Sequence, residues 1–561
     1  FVLSVCSALC GLLLGAWDAR EGTKQYQTNL RRVFLGATQG LGALAVISCN
    51  AFWVKNCDLL LGLTFFICLP LLSSCYATSV GICIRRIISR YRFRLLVAMA
   101  FIFLSLFSIA WDLYQQAPIF VYDHFWGYFA GSLYDEGVKI DARLIAFRGV
   151  TCLRIFLLLA FTSLWDKRAT TAPIPFFLIT SIVLALFMGS HLSIGRQSGF
   201  IVDRQEIRKE LTKTLRSPGI IIHMPHNISD HQAKLVRRDH VFHLERLTKS
   251  LDIPLNIGSP IHSYVYLNQQ QKYRLTGAAQ TQFTKPWLRE LHIHGVASPH
   301  PHLGHELVHV LAADFGSSLL GVSASSELFV HMGMVEGFAQ AFSQPRGDQG
   351  HHSYTKALRS LNRAPDIRAL MRPGAFWLYS PGRAYIVAGS FIQHLAEHYG
   401  IAKLKAVYAS LNFNEVYAAS VDELISEWQQ KIDALTLLPR DIREARSTFN
   451  RPSIFKRPCP HVIANLRKEA AGAVPNEAID IHRRICDHLG NTAAAQYNVA
   501  QVLFRHHRYG EFRPLGETLL EKGSLGPASE QQLYSQLGQL RWSNGDLQEA
   551  KEMFQKALTL K

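Results

Sequence analysis

The chain is 561 residues long, 48% hydrophobic and 18% charged, and its 59 lysines and arginines exceed its 42 acids by 17. At roughly 150 residues per domain it holds about three or four domains, and a mean hydropathy of +0.08 excludes both an ordinary water-soluble chain and a disordered one. Residues 1–191 carry only 9 of the acids, 16 of the bases and 2 of the 24 histidines, so a protein that is membrane throughout is excluded as well.

Six apolar runs come first, at about 1–16, 33–54, 58–84, 95–112, 148–165 and 174–191. Each is near the roughly 20 residues that a helix needs to cross a hydrocarbon core about 30 Å thick, where every backbone polar group must bond internally. The first run also has the length of a signal-peptide core, a distinction that five further spans make minor. Bases crowd alternate connections: Arg20, Lys24, Arg31 and Arg32; then Arg85, Arg86, Arg90, Arg92 and Arg94; then Lys167 and Arg168. The connections between them are poor in bases, so both ends of the bundle, and everything past residue 191, are expected outside the cytoplasm. Arg154 sits inside the fifth run; the reading is a structural ion pair with Asp112 or Asp141 near the outer interface. The loop Asp123-His124-Phe125-Trp126-Gly127-Tyr128 is expected as an interfacial aromatic anchor.

Eight of the ten cysteines lie in residues 1–152, mostly within apolar runs. Cys459 and Cys486 remain, either a disulfide of an oxidising compartment or two buried thiols on adjacent helices.

Beyond the bundle, Pro218–His226 is predicted as a strand, 230–250 as an amphipathic helix, 261–267 as an alternating strand and Leu291–His294 as another. The stretch that carries chemistry follows, His305-Glu306-Leu307-Val308-His309, on a helix of about four turns punctuated by Pro301, Gly304 and Gly316. Histidines four apart project from one helix face within reach of one metal ion, and Glu306 points beside that ion, where it can take a proton from water. A catalytic zinc usually has three protein ligands and one open position. A third candidate, Glu336, comes in Met334-Val335-Glu336-Gly337-Phe338-Ala339, within a helical run expected from about Ser325 to Phe342. The apolar run Leu303–Ala313 is far short of a span, so this helix is expected in water rather than in the bilayer.

HExxH followed by a glutamate in an E-G-x-A helix resembles the gluzincin zinc metallopeptidases, and E-G-F-A looks like the third-ligand helix of the aminopeptidase N type. The resemblance implies Glu336 as third ligand beside His305 and His309, one Zn2+ per chain and Glu306 as general base. It also implies an α+β catalytic domain in which the last strand before the HExxH helix is a substrate-facing edge. Downstream, Arg383-Ala384-Tyr385-Ile386-Val387-Ala388-Gly389-Ser390-Phe391 resembles the tyrosine-bearing C-terminal helix of gluzincin peptidase-like domains in membrane-anchored bacterial proteins. Tyr385 is then the candidate donor to the oxyanion, its alternative being a buried core tyrosine. His294, His300 and His302 are read as surface or supporting residues near the cleft. Two departures bear on activity. Arg289–Gly295 lacks the G-x-M-E-N pattern whose glutamate grips a free amine, which points to an endopeptidase. Gln340 stands where thermolysin-like relatives place an aspartate that orients a ligating histidine.

The end of the chain, with Tyr534, Leu537-Gly538, Trp542, Asn544-Gly545-Asp546, Ala550, Phe554 and Ala557, matches the intervals of a 34-residue tetratricopeptide repeat. A weaker unit runs from Tyr497 through Tyr509-Gly510, and 460–490 is expected as a cap. Such arrays bind protein partners on a concave face. Past residue 191 the chain carries 43 bases against 33 acids, dispersed and without a nucleic-acid motif.

The predicted architecture is therefore multi-domain: a transmembrane bundle of about six helices at 1–191, an α+β metallopeptidase domain at 192–440 and an all-α repeat region at 441–561. The predicted function is zinc-dependent hydrolysis of peptide or protein substrates on the extracytoplasmic side of a cell (inner) membrane, by a multi-pass protein. The alternative is a non-catalytic membrane scaffold that binds partners through the same folds.

Overall fold

The computed structural model describes residues 2–17, 25–50, 53, 59–129, 140–168, 173–255, 259–326, 329–343, 350–449 and 460–560. The protein is mostly helical with two small sheets, and divides into two compact units. One comprises Phe1–Thr214, His223–Ile228 and Val265–Thr281; the other comprises Leu215–Ile222, Ser229–Tyr264 and Gln282–Lys561.

The first unit opens with α1 (Val2–Ala16), α2 (Gln25–Thr38), α3 (Leu41–Asn50) and α4 (Leu59–Phe66). Helix α4 continues through a π-helical turn, Ile67–Leu71, into α5 (Leu72–Ile87). Pro70 sits in that turn, where its missing N–H breaks the regular ladder. Then come α6 (Tyr91–Gln115), α7 (Ala142–Arg168) and α8 (Pro173–Ser198). Among the described residues four stretches are long and apolar enough to cross a membrane: Asn29–Cys49, Leu59–Ile87, Tyr91–Gln115 and Ala142–Ser163. Of the other two expected spans, the first is the shorter apolar helix Leu3–Ala16, and the sixth lies on α8, part of whose side chains fall outside the described residues. Helices α1 and α5 meet closely because both are glycine-bearing at the crossing. A Cβ on Gly81 would lie 2.4 Å from the Leu12 carbonyl, and one on Gly15 2.3 Å from that of Thr78.

Two sequence expectations are corrected here. The aromatic loop is a hairpin, β1 (Val121–Asp123) against β2 (Gly127–Phe129), folded into the bundle rather than left at its rim. Asp123 Oδ1 accepts from the amides of Phe125 and Trp126, both at 2.8 Å, and this tight turn carries both rings into the core beside Ala8, Leu12 and Tyr76. Among the described residues Arg154 makes no carboxylate pair; its Nη2 donates to the Phe187 carbonyl at 3.2 Å, and its guanidinium lies over the Phe187 ring. Asp141 pairs instead with Arg143, at 2.9 Å, two residues away and on the same turn. The unit continues into α9 (Arg204–Glu210), N-capped by Asp203.

Five strands form the second sheet in the order β3-β4-β5-β7-β6: β3 (Lys213–Ser217), β4 (Ile220–Met224), β5 (Ile261–Tyr266), β6 (Phe283–Lys285) and β7 (Glu290–His294). The expected helix at 230–250 is α10 (Asp230–Ser250), started by Ser229, whose hydroxyl accepts from the Gln232 amide. Between β5 and β6 lies α11 (Gln269–Thr276), which belongs to the first unit, where Arg274 pairs with Glu210 and Arg143 stacks on Tyr273.

The rest of the second unit is helical: α12 (Leu303–Ala312), α13 (Met332–Phe342), α14 (His351–Ser360), α15 (Ile367–Leu370), α16 (Pro381–Tyr399), α17 (Ile401–Ser410), α18 (Phe413–Tyr417), α19 (Val421–Asp433) and α20 (Pro439–Phe449). Three helix pairs follow: α21 (Pro460–Gly472) with α22 (Pro475–His488), α23 (Ala493–Arg505) with α24 (Tyr509–Glu521), and α25 (Pro527–Ser543) with α26 (Leu547–Thr559). Their first helices start 33 and 34 residues apart. Gly538 is the small residue of the last crossing, since a Cβ there would lie 2.9 Å from the Phe554 ring. Cys486 is a buried free thiol that donates to Asn491 Oδ1, while Cys459 lies outside the described residues.

Candidate metal centre

Helix α12 presents the H-E-L-V-H residues. It has ten residues rather than the four turns expected, because the chain leaves it through tight turns at Ala313–Gly316. Leu307, Val308, Val310 and Leu311 are buried and fix its apolar face. Gly304 is needed where α10 comes close: a Cβ there would lie 3.0 Å from His243 Nδ1. The opposite face carries His305 and His309.

The run expected from Ser325 to Phe342 is helical only from Met332. Before it, Ala324 and Val330 form an antiparallel bridge, a hairpin-like turn that Ser325 and Ser326 favour over helix. Helix α13 then carries Glu336 to the two histidines. Glu336 Oε2 lies 3.3 Å from His305 Nε2 and 3.5 Å from His309 Nε2, and the two imidazole nitrogens are 3.2 Å apart. Donor atoms about 2.0–2.1 Å from a tetrahedral ion are roughly 3.3–3.4 Å from one another. The trio therefore has the spacing of three ligands around one small divalent cation, and it is the group among the described residues whose geometry can hold one. All three side chains keep 12–18% of their surface exposed, which leaves a face of the centre open to water.

Burial opposes charge on both partners, yet the Glu336 carboxylate outweighs it at His309 and raises that imidazole, while the two histidines hold Glu336 well below the usual carboxylate range.

Glycines of α13 set the next contact. A Cβ on Gly337 would lie 3.0 Å from that of Ala388 and 3.1 Å from the Ala388 carbonyl, so the glycine of E-G-F-A lets α16 approach. That approach brings the Tyr385 ring to 6.1 Å from the His305 ring, centroid to centroid, with Phe376 packed on its other side.

The remaining residues divide as follows. His300 donates through Nε2 to the His294 carbonyl at 3.1 Å, and its amide donates to Asp239 at 2.7 Å; His294 bonds Gln282 at 3.0 Å, and His302 is the residue before α12. All three support the entry to α12 and none joins the donor trio. Gln340 does not orient a ligating histidine; its amide meets His351 Nε2 at 2.8 Å, facing α14. The edges of the sheet are β3 and β6, not β7 as the sequence suggests, because β6 pairs antiparallel outside β7 in the register Phe283↔His292, Thr284↔Leu291, Lys285↔Glu290. Three residues before a proline give no readable alternation, so this strand escapes a sequence reading. With it escapes Thr284, whose Oγ1 lies 2.5 Å from Glu306 Oε2. No feature of residues 284 and 306 taken along the chain connects them.

Comparison adds no relative. No protein-family model, no curated protein and no solved structure matches the chain. The local geometry stands by itself.

Proposed function

We propose that the protein is a membrane-anchored zinc metallopeptidase of the gluzincin kind, an endopeptidase acting outside the cytoplasm. The observation that carries this reading is the mutual 3.2–3.5 Å spacing of the His305, His309 and Glu336 donor atoms beside a second carboxylate, Glu306, on the same helix. Zinc in that position supplies Lewis acidity, polarising a carbonyl and lowering the pKa of water.

The chain's own residues do the rest. Glu306 is 6% exposed and takes a proton from the attacking water, then delivers it to the leaving amine. Tyr385 offers its hydroxyl to the carbonyl oxygen as negative charge develops. The edge strand β6 offers backbone groups to an extended peptide, the logic of strand addition, and this accommodates the interior of a polypeptide. The three helical hairpins after residue 460 have the repeat length of tetratricopeptide arrays, which suits them to hold a protein partner or the substrate itself. The base-rich alternate connections, placed in the cytoplasm, put the chain past residue 191 on the extracytoplasmic side.

The test is the full-length protein in detergent or nanodiscs, assayed with quenched-fluorescent peptides. Glu306→Gln is expected to keep its zinc and to lose about 10²–10⁴-fold in kcat/KM. A Glu306→Gln variant as active as the wild type refutes the assigned base, and a wild type that holds zinc but cleaves nothing leaves a binding scaffold.

A further inference from the structure

Resting on that reading, we infer that Thr284 is a positioning residue for the Glu306 base, tying the edge strand to the reacting carboxylate. Thr284 is the central residue of β6 and Glu306 lies on α12, 22 positions later. The Thr284 hydroxyl donates to Glu306 Oε2 at 2.5 Å, a short and direct bond. Among the described residues this is the one side-chain hydrogen bond that the Glu306 carboxylate receives.

A carboxylate on a helix can rotate about three side-chain bonds, and only some orientations point an oxygen at water on the open face of the centre. The Thr284 hydroxyl fixes Oε2 and so orients Oε1. The register explains why residue 284 does this. Phe283 pairs with His292 and stacks on its ring at 4.6 Å, on one face of the sheet. Thr284 pairs with Leu291, so its side chain points to the other face. Leu291 is fully buried, and the Thr284 hydroxyl itself reaches α12 there. The backbone of the same strand would be the one that receives an extended peptide. Seating a substrate strand on β6 then steadies Thr284, and through it the base. The link is from peptide docking to proton transfer.

The experiment compares wild type, Thr284→Val and Thr284→Ser as full-length proteins, each alone and in the Glu306→Gln background, with zinc content, KM and kcat as readouts. Thr284→Val keeps the β-branched shape without the hydroxyl. The expected result is unchanged zinc, KM within about threefold, and kcat lower by about 10- to 100-fold, with Ser restoring kcat to within about threefold of wild type. In the Glu306→Gln background, Thr284→Val is expected to change the residual rate less than twofold, because the bond has nothing left to orient. The inference is overturned if Thr284→Val turns over like the wild type, if Ser is as impaired as Val, or if the loss is as large in the Glu306→Gln background. A wild type without zinc or hydrolysis overturns the metallopeptidase reading itself, and is distinguished from the other outcomes by appearing before any substitution at 284.

Discussion

Two polar clusters in this protein are built from the same side-chain types and solve different problems. In the bundle, Asp123 accepts two backbone amides and the Ser105 hydroxyl, His124 meets Thr151 at 2.8 Å and His191 at 3.4 Å, and Arg148 donates to Ser73 at 3.0 Å. Both Asp123 oxygens and both His124 nitrogens there face a donor or acceptor of the chain. In the second unit, a carboxylate oxygen and two imidazole nitrogens converge on one another within 3.5 Å, and among the described residues on no other donor group. A cluster whose members satisfy each other holds a fold together; one whose lone pairs converge calls for a cation. His and Asp or Glu in a buried group are thus no sign of a metal until their partners are counted.

The largest effect that separates the two clusters is in the bundle. Arg148→Met removes a buried cation with its hydrogen bonds to Ser73 and the His124 carbonyl. Its expected cost is about 3 kcal/mol or more in stability, read as a lower thermal midpoint in detergent, with bound zinc unchanged. Zinc lost together with stability would mean that the two clusters are not independent.

A smaller effect sharpens the same contrast within the second unit. His240 is buried, its Nδ1 bonds the Val236 carbonyl at 2.8 Å and its Nε2 meets Ser263 at 2.8 Å. Burial, partly offset by that carbonyl, pushes its pKa down to about 4. A histidine depressed in the folded state favours folding fully above its unfolded value near 6.5, and that contribution disappears as pH falls through about 4. The expected loss is roughly 2 kcal/mol by pH 5, from the shift to about 4, measured as a falling midpoint between pH 7 and pH 5. His240→Gln should flatten that slope even if it lowers stability at pH 7. An equal slope in the variant would assign the acid sensitivity elsewhere.

What the sequence could and could not reveal follows from the range of the interactions. His305, Glu306 and His309 are legible because helical periodicity alone puts them on one face, and Glu336 because a motif in a second helix resembles a known ligand helix. Helix α13 starts seven residues later than its apolar spacing implies, because that spacing does not register the bridge between Ala324 and Val330. The edge strand β6 was invisible: three residues ending at Pro286 carry no period, and its membership is decided by pairing with β7. Thr284 was missed for the same reason, since a threonine in a loop-like stretch has no local mark of the helix it will bond. In the bundle, composition marked the apolar runs, but the inward fold of Phe125 and Trp126 depends on the Asp123 turn and the space beside α5. Aromatic residues next to an expected interface read as anchors until packing is seen.

The proposed centre is one cation held by three side chains from two helices. Its most direct test is the metal content of the purified full-length protein by inductively coupled plasma mass spectrometry, for wild type and Glu336→Ala. The expected result is about one zinc per chain in the wild type and a small fraction of that in the variant. Zinc absent from the wild type, or retained undiminished without the Glu336 carboxylate, would contradict it.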